Sequence, residues 1–229
     1  YGLYWGVNMF PLALLNPSEQ GLGLYLDPAK VKLLLHFDAD FADSSPNNVS
    51  VTATGNVSVS TNSPLLGAGS AFFGNSPRTG ALETPLFFDF GNQRPFTICF
   101  RSGEGNGILP NGAWVSTGDF STISPIQLST TYLYLGNSTL SAYLGHFVPV
   151  PSASSHVTMI GDGTNIKLYE NGVLKLTVAH PNWPSNLYKL QIGKSAGIAN
   201  FRGFLDEFLL YDGVLWTGNF TPPTAPFTY

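Results

Sequence analysis

Two adjacent carboxylates, Asp206 and Glu207, lie in the strand-like run "GFLDEFLLY" near the end of the sequence. Paired carboxylates can act as acid and base in hydrolysis when both reach the same bond. Neighbouring side chains of a strand point to opposite faces of its sheet, so these two are not expected to form a catalytic dyad. The same alternation places Asp206 on the face of Phe208 and Leu210. We therefore expect a half-buried carboxylate that accepts hydrogen bonds from backbone or hydroxyl groups.

Three further carboxylates, Asp38, Asp40 and Asp43, cluster after the first predicted strand. Hard cations bind carboxylate and carbonyl oxygens, so this loop could hold calcium. The alternative is that the aspartates form Asx and Ser turns with Ser44 and Ser45. The sequence favours the turns and offers ligands for no cofactor other than calcium.

The loop sequence "AHPNWPSN" is the best candidate for binding a glycan. Aromatic faces stack on sugars while amide and imidazole groups bond their hydroxyls. Trp183 lies between two prolines, and its polar neighbours are His180, Asn182 and Asn186. The alternative, which we favour, is that Trp183 anchors the loop and contacts no ligand.

These residues must be positioned by strands, because helical periodicity is nearly absent and short alternating or apolar runs recur between turn residues. The sequence predicts an all-β fold in which two antiparallel sheets pack as a jelly-roll sandwich. Strands are predicted near residues 31–37, 49–59, 69–73, 86–89, 96–101, 112–117, 131–135, 140–144, 155–160, 165–169, 173–178, 187–192 and 203–211. Tyr134, on one of these strands, is expected to pack in the core or on a sheet face.

The run "NIKLYENGVLKLTV" predicts a hairpin. A two-residue Asn-Gly turn would place Leu168 opposite Lys175 and so mix apolar and charged partners. A three-residue loop with Gly172 in the left-handed region places Leu168 opposite Leu174 and gives one wholly apolar face. We therefore predict the three-residue loop.

Residues 1–30 are rich in aromatic residues and leucine and are interrupted by prolines. They predict an N-terminal arm that precedes a domain over residues 31–229. The arm either packs along its own domain or docks on a neighbouring subunit of a homo-oligomer or symmetric assembly, since monomers seldom expose large apolar patches. Its apolar run "MFPLALLN" is too short to span a bilayer, so no membrane span is predicted.

The charge and the cysteine content argue against a nucleic-acid partner and against an intramolecular disulfide. Ten Lys and Arg against 14 Asp and Glu give a net charge of −4, and no basic cluster is present, so no nucleic-acid partner is expected. Cys99 is the only cysteine, which excludes an intramolecular disulfide. It is predicted to be a structural thiol on the less apolar face of its strand.

The C-terminal segment "NFTPPTAPFTY" carries three prolines, which remove three backbone donors and favour an extended chain. It cannot form a central strand. Phe220 and Phe227 would be costly to expose. We expect both rings to insert against the sandwich, with Trp216 beneath them.

The order of segments from "LLLHFDADFADSSPNNVSVTATG" through "GSAFFGNS", "FTICF", "IKLYENGVLKL" and "LQIGK" to "FRGFLDEFLLYDGVLW" resembles the concanavalin A-like laminin-G/pentraxin group of jelly-roll domains. The resemblance covers about residues 31–227. The closing "FTPPTAPF" is similar to the end of such domains in bacteriophage tail and other virion proteins. This fold hosts lectins, adhesion modules, glucanases and inert scaffolds. Its glucanases carry two glutamates and an aspartate on one strand, and no Glu-x-Asp-x-Glu pattern occurs here.

The resemblance implies a non-enzymatic bacteriophage virion protein, such as a tail fibre, head fibre or capsid decoration, located in the virion. It would contact other virion proteins through its arm and display a lectin-like module toward host-surface glycans. The alternative is a secreted or cell-surface bacterial carbohydrate-binding module. A glycoside hydrolase is a third and less favoured possibility, because the paired carboxylates that hydrolysis needs are missing.

Overall fold

The computed structural model describes residues 24–62, 64–74, 79–103, 112–117, 126–130, 132–136, 141–146, 154–194 and 200–229. The described residues form strands and no helix. None of them belongs to a helix that is long and apolar enough to cross a membrane. The strands are β1 (Val31–Leu35), β2 (Thr52–Thr54), β3 (Val57–Ser60), β4 (Ser70–Phe73), β5 (Ala81–Glu83), β6 (Phe88–Asp89), β7 (Phe96–Gly103), β8 (Ala113–Thr117), β9 (Ile126–Ser129), β10 (Tyr132–Gly136), β11 (Ser141–His146), β12 (Ser154–Gly161), β13 (Asn165–Glu170), β14 (Val173–Ala179), β15 (Leu187–Tyr188), β16 (Leu190–Ile192) and β17 (Gly203–Tyr211).

Two large sheets form a sandwich. The eight-stranded sheet has the order β14-β13-β12-β7-β17-β4-β3, and β1 also pairs with β17. The seven-stranded sheet has the order β11-β10-β9-β8-β16-β5-β2, and β6 and β15 form a separate ribbon. All strand pairs within the sheets are antiparallel. This confirms the predicted all-β jelly-roll sandwich.

The main core lies between the sheets because alternate residues of each strand point inward. The seven-stranded sheet contributes side chains such as Leu128 and Ile192, and the eight-stranded sheet contributes Phe100 and Phe208. Phe100 and Phe208 stack with their ring centroids 5.8 Å apart. The indole of Trp114 crosses between the sheets and donates to Ser102 Oγ at 2.9 Å. The buried indole N–H of Trp114 thus has a hydrogen-bond partner.

A second apolar cluster covers the outer face of the eight-stranded sheet. Cys99, Ile160 and Leu209 point outward from the sheet and are buried there. Burial raises the pKa of the Cys99 thiol well above its ordinary value, which fits the predicted structural role. Cys99 lies on the face opposite Phe96, Ile98 and Phe100, as predicted, and the C-terminal segment covers that face to form a second core.

The C-terminal tail, residues 214–229, forms the cover of this second cluster. Phe227 is buried, while Phe220 is partly buried and stacks on the buried Trp216 with centroids 4.0 Å apart and planes at 8°. The predicted inward packing of the tail is therefore confirmed, with Phe220 less deeply inserted than expected. The backbone N–H of Leu26 donates to Thr228 O at 3.0 Å, so residues 24–30 pack beside the tail. Residues 1–23, the rest of the predicted arm, lie outside the described part.

A charged clamp ties the tail to the sheet. Glu207 Oε2 accepts from the backbone N–H of Phe227 at 3.0 Å, and its Oε1 lies 2.7 Å from His36 Nδ1. The hydrogen bond to Glu207 raises the pKa of His36. Arg101 donates to the carbonyl of Pro223. The tail is thus held by polar bonds at two places as well as by its rings.

Glu207 sits in a β-bulge that the sequence did not reveal. Its φ is 48°, and β17 shifts register against β7 between Asp206 and Leu209. The bulge breaks the alternation. Leu205 therefore shares the main core with Phe208, and the prediction that Asp206 lies on the face of Phe208 is wrong.

Asp206 is fully buried and accepts from Leu66 N and from Ser70 Oγ, both at 2.8 Å. The predicted hydrogen-bonded structural role is confirmed. Burial raises the pKa of Asp206 to about 7, against the lowering effect of these bonds. Asp206 and Glu207 hold different segments, the loop before β4 and the tail, so they do not converge on one point.

The β13–β14 hairpin has the two-residue turn that the prediction rejected. Asn171 and Gly172 have φ values of 48° and 75°, and Tyr169 lies opposite Leu174. A bulge at Lys175 then sets Leu168 opposite Leu176, which restores the apolar pairing. The predicted three-residue loop is wrong because a bulge, and not the turn, absorbs the extra residue.

Candidate functional site

A concave groove opens beside β1 and β2. We call it the loop groove; its volume is about 440 Å³, and it is lined by Asp40, Phe41, Ala42, Asp43, Asn48, Val49, Ser50 and Val51. Binding sites for small molecules and sugars commonly have volumes of a few hundred Å³. The chain that forms it runs from the end of β1 to the start of β2.

Asp43 fixes the shape of the groove. Its Oδ1 accepts from the backbone N–H groups of Leu34 and Ser45, at 2.9 and 2.8 Å. Its Oδ2 accepts from Ser45 Oγ and from Val49 N, each at 2.7 Å. One buried carboxylate thereby joins β1 to both walls of the groove. An ionised carboxylate has about four acceptor positions, so Asp43 has none left for a ligand.

The lining combines an apolar floor with a polar rim. Phe41, Val49 and Val51 are partly buried and pack against the main core. Phe41 meets Phe37 edge to face at 6.0 Å, which holds its ring in place. Asp40, Asn48 and Ser50 are exposed around this floor and carry carboxylate, amide and hydroxyl groups. An apolar ring face beside such groups matches the two surfaces of a pyranose or furanose sugar.

A polar row crosses the outer face of the seven-stranded sheet. Each member lies directly opposite the next on the neighbouring strand, in the order Tyr134, Gln127, Ser116, Gln191, Glu83 and Thr52. Their strand neighbours, such as Leu128 and Ile192, belong to the main core. The row therefore follows from strand alternation.

The row is buried in its middle and open at one end. Gln127, Ser116 and Gln191 are each 2% exposed. Ser116 Oγ donates to Lys194 O at 2.9 Å. Glu83 is partly exposed and Thr52 is exposed. Because Thr52 follows Val51 in the chain, the open end of the row begins where the loop groove ends.

The structure places the predicted aromatic candidate in the core. Trp183 is 0% exposed, and its ring lies 4.9 Å from that of His180, which is also buried. Asn182 and Asn186 are exposed on the same loop. Trp183 therefore anchors the loop, as the favoured alternative held, and presents no ring face to a sugar.

The three aspartates considered for calcium are not brought together. Asp38 Oδ1 accepts from Ala68 N at 2.5 Å and from Gly69 N at 3.2 Å, while Asp40 Oδ1 accepts from Ala42 N at 2.9 Å. Within the described ranges, no group of three or more His, Cys, Asp or Glu side chains is arranged to hold a metal ion. The predicted Asx turns are present at Asp40 and Asp43, which accept from Ala42 N and Ser45 N, whereas Asp38 bonds the distant Ala68 and Gly69 and forms no such turn.

Sequence reasoning missed Phe41, Asn48 and Ser50 of the groove, as well as the polar row. A signal for the row was present, because a single polar or aromatic residue sits between two apolar ones in "IQL", "LYL" and "LQI". No comparable signal marks the groove. Its walls are joined largely by Asp43, whose partners Leu34, Ser45 and Val49 are separated in the sequence.

Residues 127–217 match the family model of the concanavalin A-like lectin/glucanases superfamily. No curated protein sequence matches the chain. Among solved structures, domain 4 of AbnA, a GH43 extracellular arabinanase from Geobacillus stearothermophilus solved in complex with arabinotriose, is 20% identical with a TM-score of 0.63. That match covers 82% of this chain and 94% of the other.

Botulinum neurotoxin binding domains are also similar. The neurotoxin DC domain, in complex with rat synaptotagmin II, is 17% identical with a TM-score of 0.60, and the match covers 83% of this chain and 50% of that one. A structure of type C neurotoxin, whose passage into cells depends on interaction with two ganglioside molecules, is 16% identical with a TM-score of 0.60, covering 82% and 49%. The chain thus spans about half the length of these neurotoxin domains. The family-model match and these shared folds confirm the resemblance: the protein has the fold of the concanavalin A-like lectin/glucanase superfamily.

Proposed function

We propose that this protein is a non-enzymatic carbohydrate-binding domain and that the loop groove holds the sugar. The observation that carries this proposal is the partly buried Phe41 beside the exposed Asp40, Asn48 and Ser50. The domain of the arabinanase in complex with arabinotriose and the ganglioside-dependent neurotoxin are consistent with glycan recognition on this fold.

The rigid parts of the groove make it suitable for recognition. Asp43 holds both walls by four hydrogen bonds, so little ordering is needed when a ligand arrives. Asn48 has a φ of 47°, a left-handed conformation that Asn tolerates better than most residues. The Asn48 side-chain amide therefore lies at the rim of the groove, on a backbone whose conformation is already fixed.

The carboxylates of the groove favour binding over hydrolysis. Asp40 and Asp43 are the two carboxylates among its described lining residues. Retaining hydrolysis needs two reactive carboxyl groups about 5 Å apart, and inverting hydrolysis needs room for a water between them. Asp43 accepts four hydrogen bonds and is buried, so it is unsuited to act as nucleophile or base.

A glycan array followed by calorimetry tests the proposal. Asn48→Gly removes the amide while a glycine suits the left-handed backbone, and Phe41→Leu removes the aromatic face while keeping apolar contact. We expect each to weaken the Kd of a bound glycan by about three- to tenfold, as one lost contact of about 0.5 to 1.5 kcal/mol implies. The matched control is Asn182→Gly on the Trp183 loop, which should leave the Kd unchanged. Absence of binding to every glycan, or equal loss in the control, contradicts the proposal.

For its setting, we propose a bacteriophage virion protein that displays this domain toward host-surface glycans. Two sequence features support this: the similarity of "FTPPTAPF" to virion proteins and the apolar residues 1–23. A secreted or cell-surface bacterial module is the alternative. Deletion of residues 1–23 should abolish self-assembly or binding to other virion proteins, measured by light scattering and co-sedimentation with particles. If the full chain is monomeric and binds no particle, the virion setting is wrong while the glycan proposal stands.

A further inference from the structure

The rim of the loop groove carries three polar groups that the described chain leaves without a partner. Asp40 Oδ1 accepts from Ala42 N at 2.9 Å, whereas Asp40 Oδ2 accepts no hydrogen bond from any described residue. The side-chain amide of Asn48 and the hydroxyl of Ser50 likewise have no hydrogen-bond partner among the described residues. Asp40, Asn48 and Ser50 are all exposed. These groups can therefore exchange water for a ligand.

The described lining of the groove is acidic. Its charged side chains are those of Asp40 and Asp43, and it contains no lysine or arginine. Lys32 is the nearest cationic residue in the sequence, and its Nζ lies 3.8 Å from Asp212 Oδ2 and donates to Ala29 O at 2.8 Å. The groove lining thus presents negative charge to a ligand and contains no cation of its own to offset that charge.

The free oxygen of Asp40 limits the groups that can bind beside it. An ionised carboxylate only accepts hydrogen bonds, whereas a hydroxyl both donates and accepts them. A sugar hydroxyl can therefore donate to Asp40 Oδ2, and the charge of the acceptor strengthens that bond. An ionised carboxylate or sulfate of a sugar has no proton to donate, so it cannot pair with Asp40.

An anionic sugar would also meet charge of its own sign. The groove has a volume of about 440 Å³, so an acidic group on a sugar that fills it lies close to Asp40. Two like charges about 4 Å apart repel each other by the equivalent of about fivefold in Kd in bulk water, and by more at a protein surface. The amide of Asn48 and the hydroxyl of Ser50 can donate to an anion, but they are neutral and do not cancel this repulsion.

We propose that Asp40 determines the specificity of the loop groove, so that the ligands of this domain are uncharged saccharides whose hydroxyls donate to Asp40, and saccharides with uronate, sialate or sulfate groups are disfavoured. This inference rests on the proposed glycan-binding function and names its ligand class. Asp43 holds the walls of the groove, and Asp40 discriminates between ligands by their charge.

Three forms of one glycan test the inference on the full chain. The probes are the neutral glycan that binds most tightly on an array, its derivative with the primary hydroxyls oxidised to carboxylates, and the methyl ester of that derivative. The ester restores neutrality while keeping nearly the same shape. By calorimetry at low salt, we expect the acid to bind at least about fivefold more weakly than its ester. Added salt should narrow this gap.

The variant Asp40→Asn removes the charge and keeps an oxygen that can accept from Ala42 N. It should narrow the gap between acid and ester to less than about twofold. The matched control is Asp27→Asn, because Asp27 is also exposed, accepts from Ala29 N at 3.0 Å in the same kind of turn, and does not line the groove. The control should keep the gap.

The outcomes separate the inference from the glycan-binding proposal. An acid that binds as tightly as its ester, or an array on which acidic glycans bind most tightly, overturns the inference but leaves the glycan proposal intact. A gap that survives Asp40→Asn, or that closes equally in Asp27→Asn, also overturns it. If no array glycan binds, both proposals fail.

Discussion

The eight-stranded sheet turns Cys99, Ile160 and Leu209 outward beneath the C-terminal tail, whereas the seven-stranded sheet turns Gln127, Ser116 and Gln191 outward. Both sheets share one core and have the same alternation, so the difference lies only in which residues occupy the outward positions. Apolar residues there require a cover, and the tail supplies it. The polar residues there are buried as well, each 2% exposed, whereas Glu83 and Thr52 at the open end of the row can meet a hydroxyl-rich ligand.

We propose that the two faces have different roles: the tail-covered face stabilises the fold, and the open end of the polar row with the loop groove binds the ligand. The tail-covered face adds a second cluster of buried rings and a charged clamp to the sandwich. The open end of the polar row and the adjoining loop groove add exposed donors and acceptors that contribute little to folding. Substitutions on the first face should therefore change stability, and those on the second should change binding.

Truncation after Gly218 is the strongest test of the covered face. It removes the buried Phe227 and the Phe220 ring that stacks on Trp216. We expect a loss of about 3 kcal/mol or more in the free energy of unfolding. At about 2 to 4 °C per kcal/mol, the Tm measured by scanning calorimetry should fall by about 6 to 12 °C. Removal of Tyr229 alone is the control; an unchanged Tm in the longer truncation would show that the tail does not stabilise the sandwich.

Glu207→Gln on the tail-covered face and Glu83→Gln on the polar face form a matched pair of substitutions. Glu207→Gln weakens charge-assisted bonds to His36 and Phe227 N and should lower the free energy of unfolding by about 1.5 to 3 kcal/mol. Chemical denaturation measures it. Equal stability of Glu207→Gln and the unmodified protein would refute the clamp.

Stability of the covered face should also depend on pH. The pKa of Asp206 is raised by burial to about 7, and that of His36 is raised by its bond to Glu207. A group whose pKa is higher in the folded than in the unfolded protein stabilises the fold at low pH, and this contribution is lost as the pH rises. For Asp206 the loss falls between about pH 4 and pH 7, and for His36 it falls above pH 6.5. The Tm should be a few degrees higher at pH 5 than at pH 8. Asp206→Asn should flatten this dependence, and a protein equally stable at both values would contradict it.

On the polar face, Glu83→Gln should change the free energy of unfolding by less than about 1 kcal/mol, because its ion pairs are partly exposed. Denaturation curves of Glu83→Gln and Glu207→Gln, recorded together, compare the faces directly. A larger loss for Glu83→Gln than for Glu207→Gln would reverse the assignment of stability to one face and recognition to the other.

The fold could be predicted from the sequence because its signal is local. Alternating runs between turn residues gave the two sheets, and the prolines gave an extended tail. The strand Ala81–Glu83 was missed because three residues are too few to show alternation, and Ile126–Ser129 was also missed. The bulges at Glu207 and Lys175 were unpredictable, since neither residue type signals an inserted position. The groove depends on Asp43 reaching Leu34 and Val49, which are contacts that only the folded chain creates.

A map of backbone amide chemical shifts, recorded during titration with a glycan identified on an array, tests directly whether the loop groove binds sugar. Binding in the loop groove predicts the largest shifts at Asn48 and Ser50, smaller ones at Thr52 and Glu83, and none at Phe227 under the tail. Shifts confined to Asn182 and Asn186 of the Trp183 loop, or to the tail-covered face, would contradict the assignment of recognition to the groove and the open end of the polar row.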